Sequence, residues 1–160
     1  MWLLIKVRPR MRFLVGKTTF LFILSLLSTP VHCEAFGDYL GYKACRKCHE
    51  ELVKGWLKTR HASAFESLKN QGKEAIPGCV KCHVVDYGGE DGFIDTDLTP
   101  ELIAVQCEAC HGPGNKHVES QGKEKIGLPI PDEKKCRQCH TPGQNADFDY
   151  GSKIRKIHGL

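Results

Sequence analysis

The hydrophobic residues of this chain fall at helical spacing in short segments, which are separated by stretches containing Gly and Pro. The longest amphipathic segment runs from about Glu50 to Leu68, where apolar residues recur at intervals of three and four. This pattern predicts a helix. One face of that helix carries Val53, Leu57, His61, Ala64, Phe65 and Leu68.

Two Pro-containing pairs predict further helix starts. Thr99-Pro100 combines a favourable N-cap with Pro at the first helical position, and the predicted helix carries Leu102, Val105 and the cysteine pair that follows. Pro131-Asp132 predicts the start of another helix, which carries the last cysteine pair.

The remaining segments read as loops. Residues 84–98 are rich in Gly and Asp and predict a solvated loop or short hairpin, while residues 70–77 and 120–131 read as linkers. No run of residues has the pattern of a parallel sheet. The sequence therefore predicts a mainly α domain with short helices and long loops.

The first 35 residues have the layout of a secretory signal peptide. Basic residues precede the apolar run at 18–27, which is shorter than the roughly 20 residues of a membrane span. Cleavage after Ala35 is the favoured interpretation, cleavage after Cys33 or Val31 is an alternative, and an uncleaved anchor competes with both. We expect residues 1–35 to be removed and residues 36–160 to form the mature domain.

Removing the signal peptide changes the charge. Of the 23 Lys and Arg residues five lie before residue 36, as does one of the 19 Asp and Glu residues, which leaves 18 of each. The net charge of +4 is thus no indication of nucleic-acid binding. A mature chain of about 125 residues with this polar composition needs a cofactor or cross-links to bury enough surface.

The cysteines indicate a cofactor. Four Cys-x-x-Cys-His motifs occur, and this motif is typical of covalent haem c attachment, with the His as axial ligand of the iron. Zinc sites do not need a His after every second Cys, a thioredoxin-like motif occurs once in an α/β pattern, and a disulfide scaffold would not repeat this spacing. The motifs are Cys45–Cys48–His49, Cys79–Cys82–His83, Cys107–Cys110–His111 and Cys136–Cys139–His140.

Four haems at intervals of about thirty residues leave no room for four independent domains, so one haem-packed domain is predicted. Tyr87 and Phe93 are candidates for covering a haem. Cys33 is the ninth cysteine. We expect it to leave with the signal peptide, because a lipid-modified Cys should follow a small residue and His32 is not small.

The histidine count limits the sixth ligands of the irons. Of eight His, four belong to the motifs and His32 leaves with the signal peptide, so His61, His117 and His158 remain. Both Met residues precede residue 36 and cannot serve. Three haems can therefore have two axial His, and one haem lacks a sixth ligand. Each of the three also has a plainer interpretation, as a packed core His or a solvated His.

Several segments resemble the tetrahaem cytochromes of the cytochrome c-554 family. The resemblance spans nearly all of residues 36–160. It rests on Tyr39-Leu-Gly-Tyr42, Trp56, His61-Ala62-x-Ala64, Gly88-Gly89 with Gly92-Phe93, Val105 to Gly114 with His117, Cys139-His140-Thr-Pro, Phe148-Asp149-Tyr150 and Lys156-Ile157-His158.

The resemblance implies a periplasmic, mainly helical protein with partly stacked haem pairs, which passes electrons between oxidoreductases. It implies three haems with two axial His and an open second haem on His83. It also implies that His117 serves the first haem, His61 the third and His158 the fourth. The chain is shorter than the founding type, so its partner surface can differ.

Three functions follow as hypotheses. The leading one is an electron carrier in the periplasm or at the cell surface, whose partners are other cytochromes or oxidoreductases, quinol-linked ones included; membrane association stays open. The second is a redox enzyme that reduces nitric oxide, nitrite, hydroxylamine or peroxide at the open haem. The third is a subunit of an extracellular filament in which a neighbour supplies the missing His, with His32 as donor if cleavage follows Val31.

Overall fold

Short helices joined by turns make up residues 38–158, the part of the chain that this computed structural model describes. An antiparallel bridge between Val84 and Ile103 is the extended pairing found there. The predicted mainly helical class is confirmed, while the predicted signal peptide and Cys33 lie outside the described residues. The helices are α1 Tyr42–Arg46, α2 Glu50–Trp56, α3 Ala64–Lys69, α4 Pro77–Val80, the 3-10 helix η1 Pro100–Leu102, α5 Cys107–His111, α6 Asn115–Glu119, α7 Glu133–Arg137, α8 Tyr150–Lys153 and the 3-10 helix η2 Ile154–Lys156.

The predicted helix from residue 50 to residue 68 is interrupted, so that prediction was wrong over residues 57–63. The Thr59 hydroxyl donates to the Trp56 carbonyl at 2.7 Å, and the Thr59 N–H donates to the same oxygen at 2.8 Å. A side-chain hydroxyl that bonds the backbone competes with helix continuation. The chain then turns, and the His61 carbonyl accepts from the Val105 N–H at 3.2 Å.

The long helix predicted after Thr99 is also wrong. Only the 3-10 turn η1 forms there, and Ala104 adopts a φ of 79°, which ends the helical path before α5 begins. The Thr99 side chain makes no cap; its oxygen accepts from the Ile94 N–H at 2.9 Å. In contrast, the start predicted at Pro131-Asp132 is confirmed, because the Asp132 carboxylate accepts from the Lys135 N–H at 2.9 Å.

The apolar core lies around the second motif. Val80 lies inside that motif and Val84 directly follows it, and Phe93 packs against Phe65 with ring centroids 5.8 Å apart. Phe93 is thus a core residue of the protein, and the loop that contains it folds back through a bond from the Phe93 N–H to the Val85 carbonyl. The cluster consists of Phe65, Leu68, Val80, Val84, Val85, Phe93 and Leu102.

Two buried polar side chains tie distant segments together. Gln106 is 2% exposed; its amide nitrogen donates to the Glu101 and Ile103 carbonyls at 2.6 Å, and its oxygen accepts from the Tyr42 N–H at 2.6 Å. Buried hydrogen-bonding groups are costly when they lack partners, so these bonds fix the position of α1 against the segment before α5. Within the described residues, no helix is long and apolar enough to cross a membrane.

Gly41 is required at the same contact. Its φ is 74°, and a Cβ at this position would lie 2.6 Å from the Glu101 carbonyl oxygen. An L side chain at such a φ is strained, and the oxygen leaves it no space. The close approach of α1 to η1 therefore depends on glycine.

Replacing Gln106 with Leu tests this contact. The Tyr42 N–H and the Glu101 and Ile103 carbonyls would lose their partner, and a buried group left unsatisfied costs about 1–3 kcal/mol. We expect Gln106→Leu to lower the free energy of unfolding by about 2–4 kcal/mol, measured by denaturant titration with circular dichroism.

The matched control is Gln71→Leu. The Gln71 amide donates to the Ser67 carbonyl at 2.9 Å, but on an exposed surface. We expect a change below about 0.5 kcal/mol there. Equal losses in the two variants would show that burial of the Gln106 bonds does not matter.

Candidate functional site

Each motif begins in a short helix, so its three functional side chains emerge on one side. Cys45 lies in α1, Cys79 in α4, Cys136 in α7, and α5 contains the whole third motif. The helical turn continues through the motif: the His49 N–H donates to the Cys45 carbonyl at 2.9 Å. Positions i, i+3 and i+4 share a helical face. Two thiols and one imidazole thus point together, as attachment to one porphyrin requires.

Six of the seven histidines in residues 38–158 form three facing pairs. Each pair joins the His of a motif to a His outside the motifs. The pairs are His49–His117 with ring centroids 6.1 Å apart and planes at 10°, His61–His140 at 6.0 Å and 59°, and His111–His158 at 6.2 Å and 14°.

This spacing fits a metal atom between two imidazoles. A ligating nitrogen lies about 1.2 Å from its ring centroid and forms a metal bond of about 2 Å, so two ligating rings have centroids about 6.4 Å apart. Aromatic stacking alone also permits such distances. It gives no reason, however, why every pair joins one motif His to one other His. The side chains therefore fit haem iron with two axial imidazoles at three motifs.

Hydrogen bonds at Nδ1 set the tautomer of several rings. An Nδ1–H that donates to a backbone carbonyl leaves Nε2 without a proton, so Nε2 can bind a metal. Three rings have such a carbonyl. They are His83 with Ala64 at 2.6 Å, His111 with Leu128 at 2.9 Å, and His117 with Glu124 at 2.6 Å.

Burial also favours the neutral rings. Burial lowers the pKa of His61, and the neighbouring charge of His140 lowers it further. The pKa of His158 is lowered by burial and then by His111. For His140, burial and the Arg137 guanidinium lower the pKa. A neutral imidazole is the form that binds a metal.

The pairing differs in part from the one that the resemblance implied. His117 faces the His of the first motif, as expected. His61 faces the His of the fourth motif instead of the third, and His158 faces the third instead of the fourth, so those two assignments are wrong. The physical reason for His61 is the chain reversal at residues 57–63, which takes it off the predicted helix.

The second motif differs from the other three. Within residues 38–158 no second imidazole faces the His83 ring, since the other six rings face one another. The Ala64 carbonyl at Nδ1 nevertheless orients His83 as a ligand. His83 would therefore supply one axial ligand at this motif, and no second imidazole of the described residues faces it.

Thiols of different motifs lie side by side. The contact with Cys107 raises the pKa of Cys45 and lowers that of Cys107. Burial and then Cys82 raise the pKa of Cys139 to about 12. Burial and then the Cys136 charge raise the pKa of Cys110. The motifs therefore adjoin in the order first, third, fourth, second.

Sequence reasoning missed the polar residues beside the third motif. Glu108 and Gln106 are each 2% exposed, and Glu108 lies inside the motif itself. One signal was available: among the eight spacer residues of the four motifs, Glu108 is the one acid. In the described residues, no group of three or more His, Cys, Asp and Glu side chains is placed to hold a bare metal ion.

Comparison with known proteins gives a consistent result. Residues 44–112 match the family described as cytochrome c554 and c-prime. The chain is 33% identical over 149 residues to cytochrome c-554 of Nitrosomonas europaea, covering 73% of this chain and 63% of that protein. It is 28% identical over 93 residues to the multihaem cytochrome MtrA of Shewanella baltica, covering 50% of this chain and 28% of MtrA. This chain thus spans less than two thirds of either relative.

A solved structure agrees with these matches. The structure of reduced cytochrome c554 from Nitrosomonas europaea superposes with a TM-score of 0.59 at 25% sequence identity, covering 78% of this chain and 85% of that one. Its fold, the matched family and the four attachment motifs lead to one assignment. The chain belongs to the cytochrome c-554 family of multihaem c-type cytochromes.

Proposed function

We propose that this chain is an exported electron-transfer protein with four covalently attached haem c groups. Three haems have two axial His, and the haem on His83 has an open sixth position. The three facing imidazole pairs carry this proposal, because they account for every described His except His83. Haem supplies one-electron redox chemistry, while the protein supplies ligands, orientation and burial.

Two axial imidazoles suit a carrier. An iron with both axial positions filled by protein has no position for a substrate. The paired residues then hold the site in one geometry through Nδ1 bonds such as that of His111 to Leu128. This supports transfer of electrons, not chemistry on a bound metabolite, at three motifs.

The order of the motifs supports passage along the protein. Cys45 contacts Cys107, Cys110 lies near Cys136, and Cys139 contacts Cys82. Attachment sites that adjoin in a row provide short steps between neighbours. The first and second motifs stand at the two ends of this row, and we propose that partners exchange electrons at those ends.

We place the protein in the periplasm or at the cell surface, since attachment of haem c takes place after export. The predicted signal peptide at residues 1–35 supports this. Its partners are other cytochromes or oxidoreductases, and a quinol-oxidising enzyme is one candidate donor. The relatives named above are cytochromes, which supports a redox partner.

A second candidate function is reduction of a small molecule at the open haem. The unpaired ring of His83 favours it. Nitric oxide, nitrite, hydroxylamine and peroxide are the ligands of interest. The test below separates an open site from a closed one, and turnover assays with these four compounds then distinguish an enzyme from a carrier.

The spin state of the oxidised holoprotein tests the ligand assignment. We expect low-temperature EPR to show three low-spin haems and one high-spin haem, because one iron lacks a strong sixth ligand. Reduced protein should bind carbon monoxide at about one haem in four, measured by difference spectroscopy. Four low-spin haems without carbon monoxide binding would contradict the open site.

The corrected pairing is tested by two matched variants. The imidazole planes of His61 and His140 cross at 59°, whereas those of the other two pairs lie within 14°. Crossed and parallel planes give different low-spin EPR signals. We expect His61→Ala to abolish the crossed-plane signal and to raise carbon monoxide binding to about two haems in four.

His158→Ala is the control with the same chemical change. It should remove one parallel-plane signal and leave the crossed-plane signal intact, with the same gain in carbon monoxide binding. If His61→Ala removes a parallel-plane signal instead, His61 serves another motif and the pairing above is wrong.

A further inference from the structure

The Glu108 carboxylate is buried at the junction of the first and third motifs. Glu108 is the first spacer residue of the third motif, between Cys107 and Cys110, and it is 2% exposed. No Lys, Arg or His of the described residues forms an ion pair with it. Its partners are backbone N–H groups alone.

Three backbone N–H groups surround the two oxygens. The Leu40 N–H lies 3.1 Å from both oxygens, the Gly41 N–H donates to Oε2 at 2.7 Å, and the Gly114 N–H donates to Oε1 at 2.8 Å. Both oxygens therefore act as acceptors. A carboxylate is an acceptor-only group, and these backbone donors match its two oxygens.

The position of Gly114 depends on this contact too. A Cβ at residue 114 would lie 2.9 Å from Oε1 of Glu108. Glycine lets the backbone N–H reach the carboxylate. The carboxylate is thus held in a fixed place that water does not reach, with no counter-charge beside it.

The charge lies close to two attachment sites. Cys107 precedes Glu108 in α5, and Cys45 follows the segment 40–41 that Glu108 binds. The Cys45 sulfur lies 3.9 Å from the Gly41 carbonyl and contacts Cys107. The negative charge of Glu108 acts on the sulfurs of both Cys45 and Cys107.

We propose that Glu108 sets redox potential: its charge lowers the midpoint potentials of the haems on the first and third motifs relative to those on the second and fourth. The inference rests on the proposed function, since it requires haems at these motifs. Each ferric haem that gains one electron gains one negative charge. A fixed carboxylate opposes that gain, and its field is strong where solvent is excluded.

Exposed charges near the same motifs have a weaker effect on the midpoint potentials of the haems. Arg46 and Glu50 are about half exposed and lie 3.8 Å apart, so solvent and salt screen them. Glu108 is screened by neither. Its effect should therefore remain at high ionic strength, which distinguishes it from surface charge.

The experiment is an EPR-monitored redox titration of Glu108→Gln holoprotein, with chemical mediators at high salt. Haems on the first and third motifs share near-parallel imidazole planes, so their signals are followed apart from the others. We expect both of their midpoints to rise and the other two to stay at the wild-type values.

Glu108→Asp and Gln106→Leu are the controls. Asp keeps the charge but shortens the side chain, and Gln106→Leu weakens the same junction without changing charge. Both should lower the free energy of unfolding without shifting the two midpoints. A purely structural role is shown if these controls shift the midpoints as Glu108→Gln does, or if Glu108→Gln shifts none; either result overturns the proposal.

A second charge change covers the case in which Glu108→Gln does not assemble. Leu40→Lys keeps the carboxylate and adds a cation on the residue whose backbone N–H it accepts from, with Leu40→Gln as the neutral match. Leu40→Lys should raise the same two midpoints, and no rise overturns the proposal.

Haem content by pyridine haemochrome is measured first. A wild-type chain without four haems would refute the proposed function instead, independently of Glu108.

Discussion

The distances of 6.0–6.2 Å between the centroids of facing imidazole rings constrain most of this structure. The main cluster of apolar side chains is small and lies around the second motif. The described helices have three to seven residues, too short to be stable by themselves. Segments far apart in sequence must therefore be positioned by what lies between them. A metal-bound pair of imidazoles does this with strict distance and direction, which hydrophobic contact does not provide.

Sequence alone predicts the chemistry well and the geometry poorly. The four motifs and the three other His can be recognised in the amino-acid sequence, because covalent attachment fixes residue type and spacing. The partner of each His is not visible in the sequence, since pairing depends on the turns between the helices. α2 ends at Trp56, whose carbonyl accepts from the Thr59 hydroxyl, and His61 then faces the His of the fourth motif. Helical periodicity through residues 57–63 predicted instead that His61 lies on one continuous helix.

The buried polar groups are also not predicted by the sequence alone. Gln106 and Glu108 bond the backbone of residues 40–42, more than sixty positions away. The sequence around Gln106 does not distinguish it from a solvated residue, and the sequence around Glu108 does so only weakly. Their effect is visible only when burial and partners are known, and it joins the start of the domain to the third motif. The one clue is an acid inside a motif whose other spacers lack one.

The three His pairs also have a topological consequence. The links between residues 49 and 117, 61 and 140, and 111 and 158 overlap along the chain, since residues 61 and 111 both lie between residues 49 and 117. Once haems join the pairs, any single cut in the backbone between residues 49 and 158 is bridged by at least one link. The domain then behaves as a cross-linked network instead of a linear chain. A protease that nicks an exposed loop breaks the polypeptide without releasing a piece of it.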